Sequence, residues 1–80
     1  MATLRLFASA RDAAGTARDD VPGATVGEVL DAARVRYGDA FVAVLATSRV
    51  WLNGEPVTDA DIVGAGDEVA VLPPVSGGER

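Results

Sequence analysis

The chain has no cysteine and no histidine among its 80 residues, and each absence excludes a class of chemistry. Without cysteine there is no disulfide and no reactive thiolate. Without histidine the commonest general base and a usual zinc ligand are missing, and no serine can belong to a serine triad. Catalysis by this chain alone is therefore not expected.

Lysine is also absent, so all seven basic residues are arginine. No lysine side chain can therefore receive a second copy of the chain, which excludes lysine-linked chains; codon bias in a GC-rich genome is the simpler explanation. The formal net charge of −5 argues against binding to nucleic acid or to an anionic membrane, which would need a basic patch. Basic protein partners suit an acidic domain better.

Long apolar runs are missing as well. Met1 to Ala10 alternates without the apolar core of a signal peptide, and no run approaches transmembrane length, so a cytoplasmic location is expected. A chain of this size forms one small domain that buries roughly 60% of its extended surface, with a stability of about 5 kcal/mol. Because only 5% of the residues are aromatic, small and branched aliphatic side chains must build the core.

The N-terminal third predicts two strands joined as a hairpin. Residues 3–8 alternate as a half-buried strand does, with Leu4 and Leu6 on one face and Phe7 on the other. Residues 9–16 are expected to form a loop, and residues 17–21 a second strand that ends at Pro22 and Gly23.

The middle of the chain predicts the main helix. Thr25 and Glu28 have the spacing of a capping box, and apolar residues then recur at helical spacing from Val26 to Tyr37. Gly38 is the expected stop. A second, short helix is expected over residues 39–46.

The C-terminal half predicts a hairpin and a last strand. Asn53 and Gly54 favour a type I′ turn within residues 49–57, and Pro56 favours a position at the sheet edge. Residues 59–63 are expected to form one helical turn, residues 64–67 a loop and residues 68–72 the final strand. Together these elements indicate an α+β domain, a mixed sheet with one main helix packed on one face.

Two other patterns carry no site. The acidic side chains between Asp59 and Glu68 do not have the spacing of an EF-hand loop, and helix capping and solvation explain them better. The glycines at 64 and 66 are not followed by the Gly-Lys-Ser/Thr of a phosphate-binding loop.

The C-terminal segment carries the strongest functional signal. Its prolines, Pro73 and Pro74, restrict the backbone to extended conformations, while Gly77 and Gly78 add freedom and no bulk. Such a segment can project from a domain and enter the narrow site of another protein. We therefore divide the chain into a domain over residues 1–73 and a flexible diglycine tail over residues 74–80.

Several motifs together resemble one family. They are Leu6-Phe7-Ala8 with Arg11-Asp12, the helix start at 25–28, Asn53-Gly54, Gly66-Asp67-Glu68-Val69, and Leu72-Pro73-Pro74-Val75-Ser76-Gly77-Gly78. This pattern is similar to the ubiquitin-like sulfur carriers of the MoaD/ThiS family, which includes the small subunit of molybdopterin synthase and the thiamine-pathway carrier. The resemblance extends from the first strand to Gly78.

The resemblance implies a ubiquitin-like β-grasp fold and a non-catalytic carrier cycle. An adenylyltransferase related to ubiquitin-activating enzymes would use ATP to activate the carboxylate of Gly78, and a sulfur donor would convert it to a thiocarboxylate. The tail, with Pro73, Pro74, Val75, Ser76 and Gly77, would then enter the large catalytic subunit of molybdopterin synthase. There the sulfur would pass to a cyclic pyranopterin precursor of the molybdenum cofactor. No cofactor is expected on the carrier itself.

The resemblance also implies a docking surface and exposes one departure. Phe7 and Leu72 match an apolar patch beside the tail, with Arg11 as a polar contact at its rim; as an alternative, Phe7 and Leu72 are ordinary core residues. Family members usually end at the second glycine, whereas Glu79 and Arg80 follow it here.

Three interpretations of Glu79 and Arg80 stay open. A peptidase removes them, they were added to the natural chain, or the chain does not carry sulfur as encoded. The alternatives for function are a carrier for another pathway, such as thiamine or cysteine synthesis, and a ubiquitin-like interaction module that is never activated.

Overall fold

Five strands and three helices form the part of the chain that the structure, a computed structural model, describes, which is residues 1–74. In chain order they are β1 (Ala2–Leu6), α1 (Ala8–Ala14), β2 (Arg18–Val21), α2 (Val26–Tyr37), α3 (Asp39–Leu45), β3 (Arg49–Leu52), β4 (Glu55–Pro56) and β5 (Glu68–Leu72). No helix within these residues is long and apolar enough to cross a membrane.

The strands form one mixed sheet in the order β2-β1-β5-β3-β4. β1 and β5 are parallel, and the other three pairs are antiparallel. The mixed sheet predicted from the sequence is confirmed. β5, the last strand before the C-terminal segment, therefore lies in the centre of the sheet with a hydrogen-bonded neighbour on each side.

The core lies between the sheet and the helices, because strand residues alternate between its two faces. Leu4, Leu6, Val69 and Val71 are buried on the helix side, as the alternation in β1 and β5 requires. Full burial of each such side chain contributes roughly 1.5–3 kcal/mol. From the helices and loops the core receives Ala10, Val26, Val29, Leu30, Ala33, Phe41, Leu45 and Val63.

The predicted main helix is confirmed over Val26–Tyr37, and its first turn shows why it begins there. Thr25 Oγ1 accepts from the Glu28 amide at 3.2 Å. The Glu28 carboxylate reaches back to the Ala24 amide at 2.8 Å, one residue before the position expected in a capping box. At the other end Gly38 has φ 91°, which only glycine adopts readily, and α3 begins at once.

The hairpin prediction is also confirmed. Asn53 and Gly54 have φ values of 51° and 89°, both positive as a type I′ turn requires. Pro56 lies on β4 at the edge of the sheet, where its missing N–H breaks no ladder bond.

The loop predicted for residues 9–16 is wrong, because Ala8–Ala14 is the helix α1. Gly15 ends it in the left-handed conformation at φ 81° and donates its N–H to the Arg11 carbonyl at 2.9 Å. Alanine has the highest helix propensity, and Ala10 is fully buried against the core. Packing of this small side chain stabilises a helix too short to form alone.

The helical turn predicted for residues 59–63 is also wrong. This segment is an irregular loop in which Ile62 forms an isolated antiparallel bridge with Thr25. The carbonyls of Asp59 and Asp61 accept from the Gly27 and Val26 amides, each at 2.9 Å. Because these carbonyls satisfy free amides of the first turn of α2, tertiary contacts determine the loop conformation.

A polar cluster joins the end of α2 to β2. The Tyr37 hydroxyl donates to Asp19 Oδ2 at 2.6 Å, and Arg36 Nη1 donates to the same oxygen at 2.9 Å. These bonds, that of Tyr37 first, lower the pKa of Asp19. Burial, and then the bond to Asp19, raise the pKa of Tyr37 from 10.0 to about 12.

We expect this cluster to make stability fall at both ends of the pH scale. Asp19 has a lowered pKa in the folded state, so its contribution is present above its unfolded pKa of 3.8 and is lost as the pH falls through the folded value. Tyr37 has a raised pKa, so its contribution is complete below pH 10 and is lost as the pH rises toward 12. Tyr37→Phe should lower the free energy of unfolding by about 1 kcal/mol at neutral pH and flatten the alkaline fall. Urea unfolding at several pH values measures both effects, and an unchanged alkaline slope in the variant would contradict this assignment.

Candidate functional site

The face of the sheet opposite the helices carries a group of apolar side chains. Directly paired residues share a face, and Trp51 pairs with Ala70 of β5 on one side and Pro56 of β4 on the other. Leu72 lies on this face too, because it is two residues from Ala70 on the same strand. With Phe7 these residues form what we call the open-face patch: Phe7, Trp51, Pro56, Ala70 and Leu72.

Arg5 holds the Phe7 side of the patch in place. Its Nη1 lies 3.1 Å from Glu68 Oε2, and both side chains are about 40% exposed, at 38% and 43%. The guanidinium carbon also lies 5.5 Å from the centre of the Phe7 ring. Such a partly solvated ion pair contributes about 0–1 kcal/mol, and the cation–π contact about 0.5–1 kcal/mol. Their main effect is to orient the exposed Phe7 ring over the end of β1.

The C-terminal segment leaves the sheet beside this patch. β5 ends at Leu72, followed by the half-buried Pro73 and the exposed Pro74. Since Leu6 pairs with Val71 in the parallel β1–β5 ladder, the end of β5 lies next to Phe7. The chain therefore leaves the domain beside the exposed ring of Phe7.

A turn held by side chains determines where β5 begins. Asp67 Oδ2 accepts from the Gly64 amide at 2.8 Å, and Asp67 Oδ1 accepts from Asn53 Nδ2 at 3.1 Å. These bonds, that of Gly64 first, lower the pKa of Asp67. Asn53 Oδ1 in turn accepts from the Glu68 amide at 2.9 Å. The Gly66-Asp67-Glu68-Val69 motif thus aligns β5, and with it the exit point of the C-terminal segment.

The structure places two of the predicted site residues, Phe7 and Leu72, on the same face of the sheet. Phe7 is 38% exposed, which confirms the predicted exposure, and Leu72 is half-buried on the same face. Arg11 lies on the first turns of α1, its amide 3.4 Å from the Phe7 carbonyl, with only a loose contact of 3.9 Å to Asp12. The roles of these residues in docking stay predictions. Pro73 and Pro74 continue from Leu72, whereas Val75, Ser76, Gly77 and Gly78 lie outside the described residues.

Sequence reasoning missed Trp51 as a surface residue. Its neighbours in β3 gave no clear alternation, and only the register with Ala70 and Pro56 places it on the open face. The available signal was a tryptophan that lies opposite a proline in the hairpin predicted for residues 49–57. Half-buried tryptophan is among the residues that most often anchor protein interfaces.

The acidic residues near β4 have structural roles. Asp61 Oδ2 accepts from the Thr58 amide at 2.8 Å, and Asp67 closes the turn before β5. Within residues 1–74 no group of three acidic, histidine or cysteine side chains could hold a metal ion. A shallow groove of about 480 Å³ runs beside β4 and is lined by Leu52, Asn53, Glu55, Pro56, Val57, Asp61 and Ile62, away from the exit of the C-terminal segment.

Comparison with known proteins decides the family. A family model described as the ThiS family matches residues 4–78, nearly the whole chain. The chain belongs to the ThiS family. The match runs from β1 to Gly78 and does not include Glu79 and Arg80.

Three proteins that are similar to the chain illustrate its sequence and fold relationships. Small archaeal modifier protein 1 of Haloferax volcanii is 42% identical over 86 residues, covering 92% of this chain and 97% of that protein. Its crystal structure has a TM-score of 0.81 at 38% identity and covers 96% and 98% of the two chains. A Pyrococcus furiosus structure, assigned as molybdopterin converting factor subunit 1, has 26% identity and a TM-score of 0.79 over 92% and 97%. The Amycolatopsis orientalis BexX/CysO complex has 24% identity and a TM-score of 0.80 over 98% and 100%.

These findings confirm the ubiquitin-like β-grasp fold and the family resemblance. The protein is a ubiquitin-like sulfur carrier or modifier of the ThiS/MoaD family, a class of small non-catalytic proteins. In the Amycolatopsis structure a protein of this fold is in complex with a partner protein. The family comparison does not choose the product that receives the sulfur.

Proposed function

We propose that this protein delivers sulfur as a thiocarboxylate on Gly78 to a cyclic pyranopterin precursor, as the small subunit of molybdopterin synthase in the cytoplasm. The family match over residues 4–78 carries the proposal, because it includes the diglycine and leaves out Glu79 and Arg80. The relative from Pyrococcus furiosus, assigned as a molybdopterin converting factor subunit, supports this pathway.

The chemistry needs a free carboxylate on Gly78. An adenylyltransferase would join that carboxylate to the α-phosphate of ATP and release pyrophosphate. Sulfide would then displace AMP and leave a thiocarboxylate; if the donor protein carries a persulfide, the first product is an acyl disulfide, and a thiol must cleave its S–S bond to release the thiocarboxylate. Because Gly78 is in a peptide bond with Glu79 as encoded, a peptidase must first remove Glu79 and Arg80. Trimming would thus regulate the supply of active carrier.

The open-face patch would supply the docking surface for the large catalytic subunit and for the adenylyltransferase. Its two aromatic side chains, Phe7 and Trp51, can anchor a partner at low entropic cost because their rings have few rotatable bonds. Gly78 is four residues beyond Pro74, at most about 14 Å along an extended chain. A partner bound to the patch therefore lies within reach of the sulfur.

A second candidate function is protein modification. The Haloferax volcanii relative, which is named a modifier protein, shares more sequence with this chain than the Pyrococcus furiosus relative does. In that case an amine of a target protein would attack the activated Gly78 carbonyl and form an amide. The chain itself contains no lysine, so its copies could not be linked through lysine side chains.

Reconstitution with a chain that ends at Gly78 separates the two functions. We expect the adenylated chain, supplied with sulfide, to gain the mass change of one oxygen replaced by sulfur. With the large subunit and the pyranopterin precursor, two such chains should then supply the two sulfurs of each dithiolene and return to carboxylates. The full chain that ends at Arg80 is the matched control and should stay unmodified.

Two results would contradict the molybdopterin assignment. One is a thiocarboxylate that the large subunit does not consume, and the other is conversion of the activated chain to amide adducts with lysine-containing proteins in preference to sulfur transfer. Activation of the untrimmed chain would instead refute the trimming step.

A further inference from the structure

The outer edge of β2 has all its outward backbone groups bound by the chain's own side chains. In the antiparallel β1–β2 pair, Leu6 donates to the Ala17 carbonyl at 2.9 Å, so every second residue of β2 from Ala17 onward bonds to β1. Arg18 and Asp20 are the residues between, and their N–H and C=O groups point away from the sheet. A strand edge of this kind is normally a template for another strand.

Each of these four groups has a partner at the edge. Thr16 Oγ1 accepts from the Arg18 amide at 3.4 Å and donates to the Arg18 carbonyl at 2.9 Å. Asp19 Oδ1 accepts from the Asp20 amide at 2.9 Å, and Arg36 Nη1 donates to the Asp20 carbonyl at 2.8 Å. No outward donor or acceptor of Arg18–Asp20 is left free for an incoming strand.

At the opposite edge of the sheet, the outward positions Pro56 and Thr58 offer no free N–H group. Pro56 occupies the outward position of β4 and has no N–H to donate. At Thr58, the next outward position, the amide donates to Asp61 Oδ2 at 2.8 Å. Different residues therefore disfavour strand addition at the two edges: Thr16, Asp19 and Arg36 at β2, and Pro56 and Asp61 at β4.

We propose that these side-chain caps keep a second copy of this chain from pairing with β2. A second copy is the strand most able to pair with this edge, because the sequence of the edge is complementary to itself. Antiparallel pairing centred on Asp19 would place Arg18 of each copy opposite Asp20 of the other. In that register the four capped groups of one copy would pair with the same four groups of the other in four backbone hydrogen bonds, and Arg18 and Asp20 would add two pairs of opposite charge. This inference does not depend on what the carrier delivers.

The double variant Thr16→Val/Asp19→Val opens the edge. Thr16→Val removes the side chain that binds the Arg18 amide and carbonyl. Asp19→Val removes the acceptor of the Asp20 amide, the carboxylate that holds Arg36, and the charge repulsion between the Asp19 side chains of two paired copies. We expect the variant to shift from monomer to dimer between micromolar and millimolar concentration in sedimentation velocity, while the natural chain stays monomeric. The matched control is Thr47→Val/Asp31→Val, which has the same composition but changes only side chains bound within helices or their ends.

Amide hydrogen exchange tests where the copies meet. In the dilute double variant the Arg18 and Asp20 amides should exchange roughly tenfold faster than in the natural chain, the factor for a hydrogen bond of about 1.4 kcal/mol. At high concentration they should become protected again, while the inward Asp19 and Val21 positions should change little.

Two results would overturn the proposal. One is a folded double variant that stays monomeric at millimolar concentration, with exchange at Arg18 and Asp20 like that of the control. The other needs no variant: in the natural chain these two amides exchange at the rate of an unstructured peptide, or become protected as its concentration rises. The second measurement decides the question even if the double variant does not fold.

Discussion

Replacing Gly78 by alanine in a chain that ends at residue 78 is expected to lower the rate of sulfur transfer by roughly 100-fold or more. The methyl group adds bulk at the carbon that bears the reacting carbonyl, and a displacement of about 1 Å at a reacting group costs about this factor. Single-turnover transfer from a prepared thiocarboxylate to the large subunit measures the effect directly. The melting temperature should stay nearly unchanged, because the substitution lies beyond the core of the domain.

Gly64→Ala is the matched control for this substitution. Its added Cβ would meet Asp67 Oδ2 at 3.7 Å, an ordinary contact, so we expect both stability and sulfur transfer like those of the natural chain. If Gly78→Ala transfers sulfur as fast as Gly64→Ala, the transfer step does not require glycine at position 78. A large fall in melting temperature would instead assign Gly78 a structural role.

Phe41→Ala is expected to destabilise the domain by about 3–5 kcal/mol, most of the stability of a domain this small. The Phe41 side chain is fully buried, and its ring meets Tyr37 edge to face with 5.1 Å between centroids. Alanine would leave a cavity where α3 packs against α1 and α2, and the few large side chains of this core cannot fill it. Urea unfolding at neutral pH gives the free energy.

Phe7→Ala makes the same chemical change at the only other phenylalanine. Because Phe7 is 38% exposed and its main side-chain contact here is Arg5, its loss should cost only about 1 kcal/mol of stability. It should, however, clearly weaken binding to the large subunit in a titration. Equal destabilisation by the two variants would place Phe7 in the core and remove it from the open-face patch.

Local signals explain which elements could be predicted from the sequence. The main helix has a cap at Thr25, an apolar stripe and a stop at Gly38, so local and tertiary preferences agree. The type I′ turn at Asn53 and Gly54 is predictable for the same reason, since both residues tolerate a positive φ. The functional prediction came from the resemblance of the C-terminal motifs to a family, because hydrophobic periodicity indicates secondary structure and carries no information about function.

The elements that were missed depend on distant contacts. α1 is too short to be stable alone and forms because Ala10 packs into the core, while the loop at 59–63 is held by the amides of Val26 and Gly27. Trp51 joins the open-face patch only through the strand register. Register is a tertiary property, so the docking surface could be predicted only in part from sequence alternation.

The parallel pairing of β1 with β5 has a mechanical consequence. The two strands nearest the two ends of the chain lie side by side and point the same way, so opposed pulling at Ala2 and Leu72 loads the ladder from Thr3 to Leu6 in shear. All of its hydrogen bonds then resist together, whereas an antiparallel pair at a sheet edge would open one bond at a time. The domain therefore resists tension applied between its first strand and its last strand better than a sheet whose terminal strands were antiparallel neighbours at an edge.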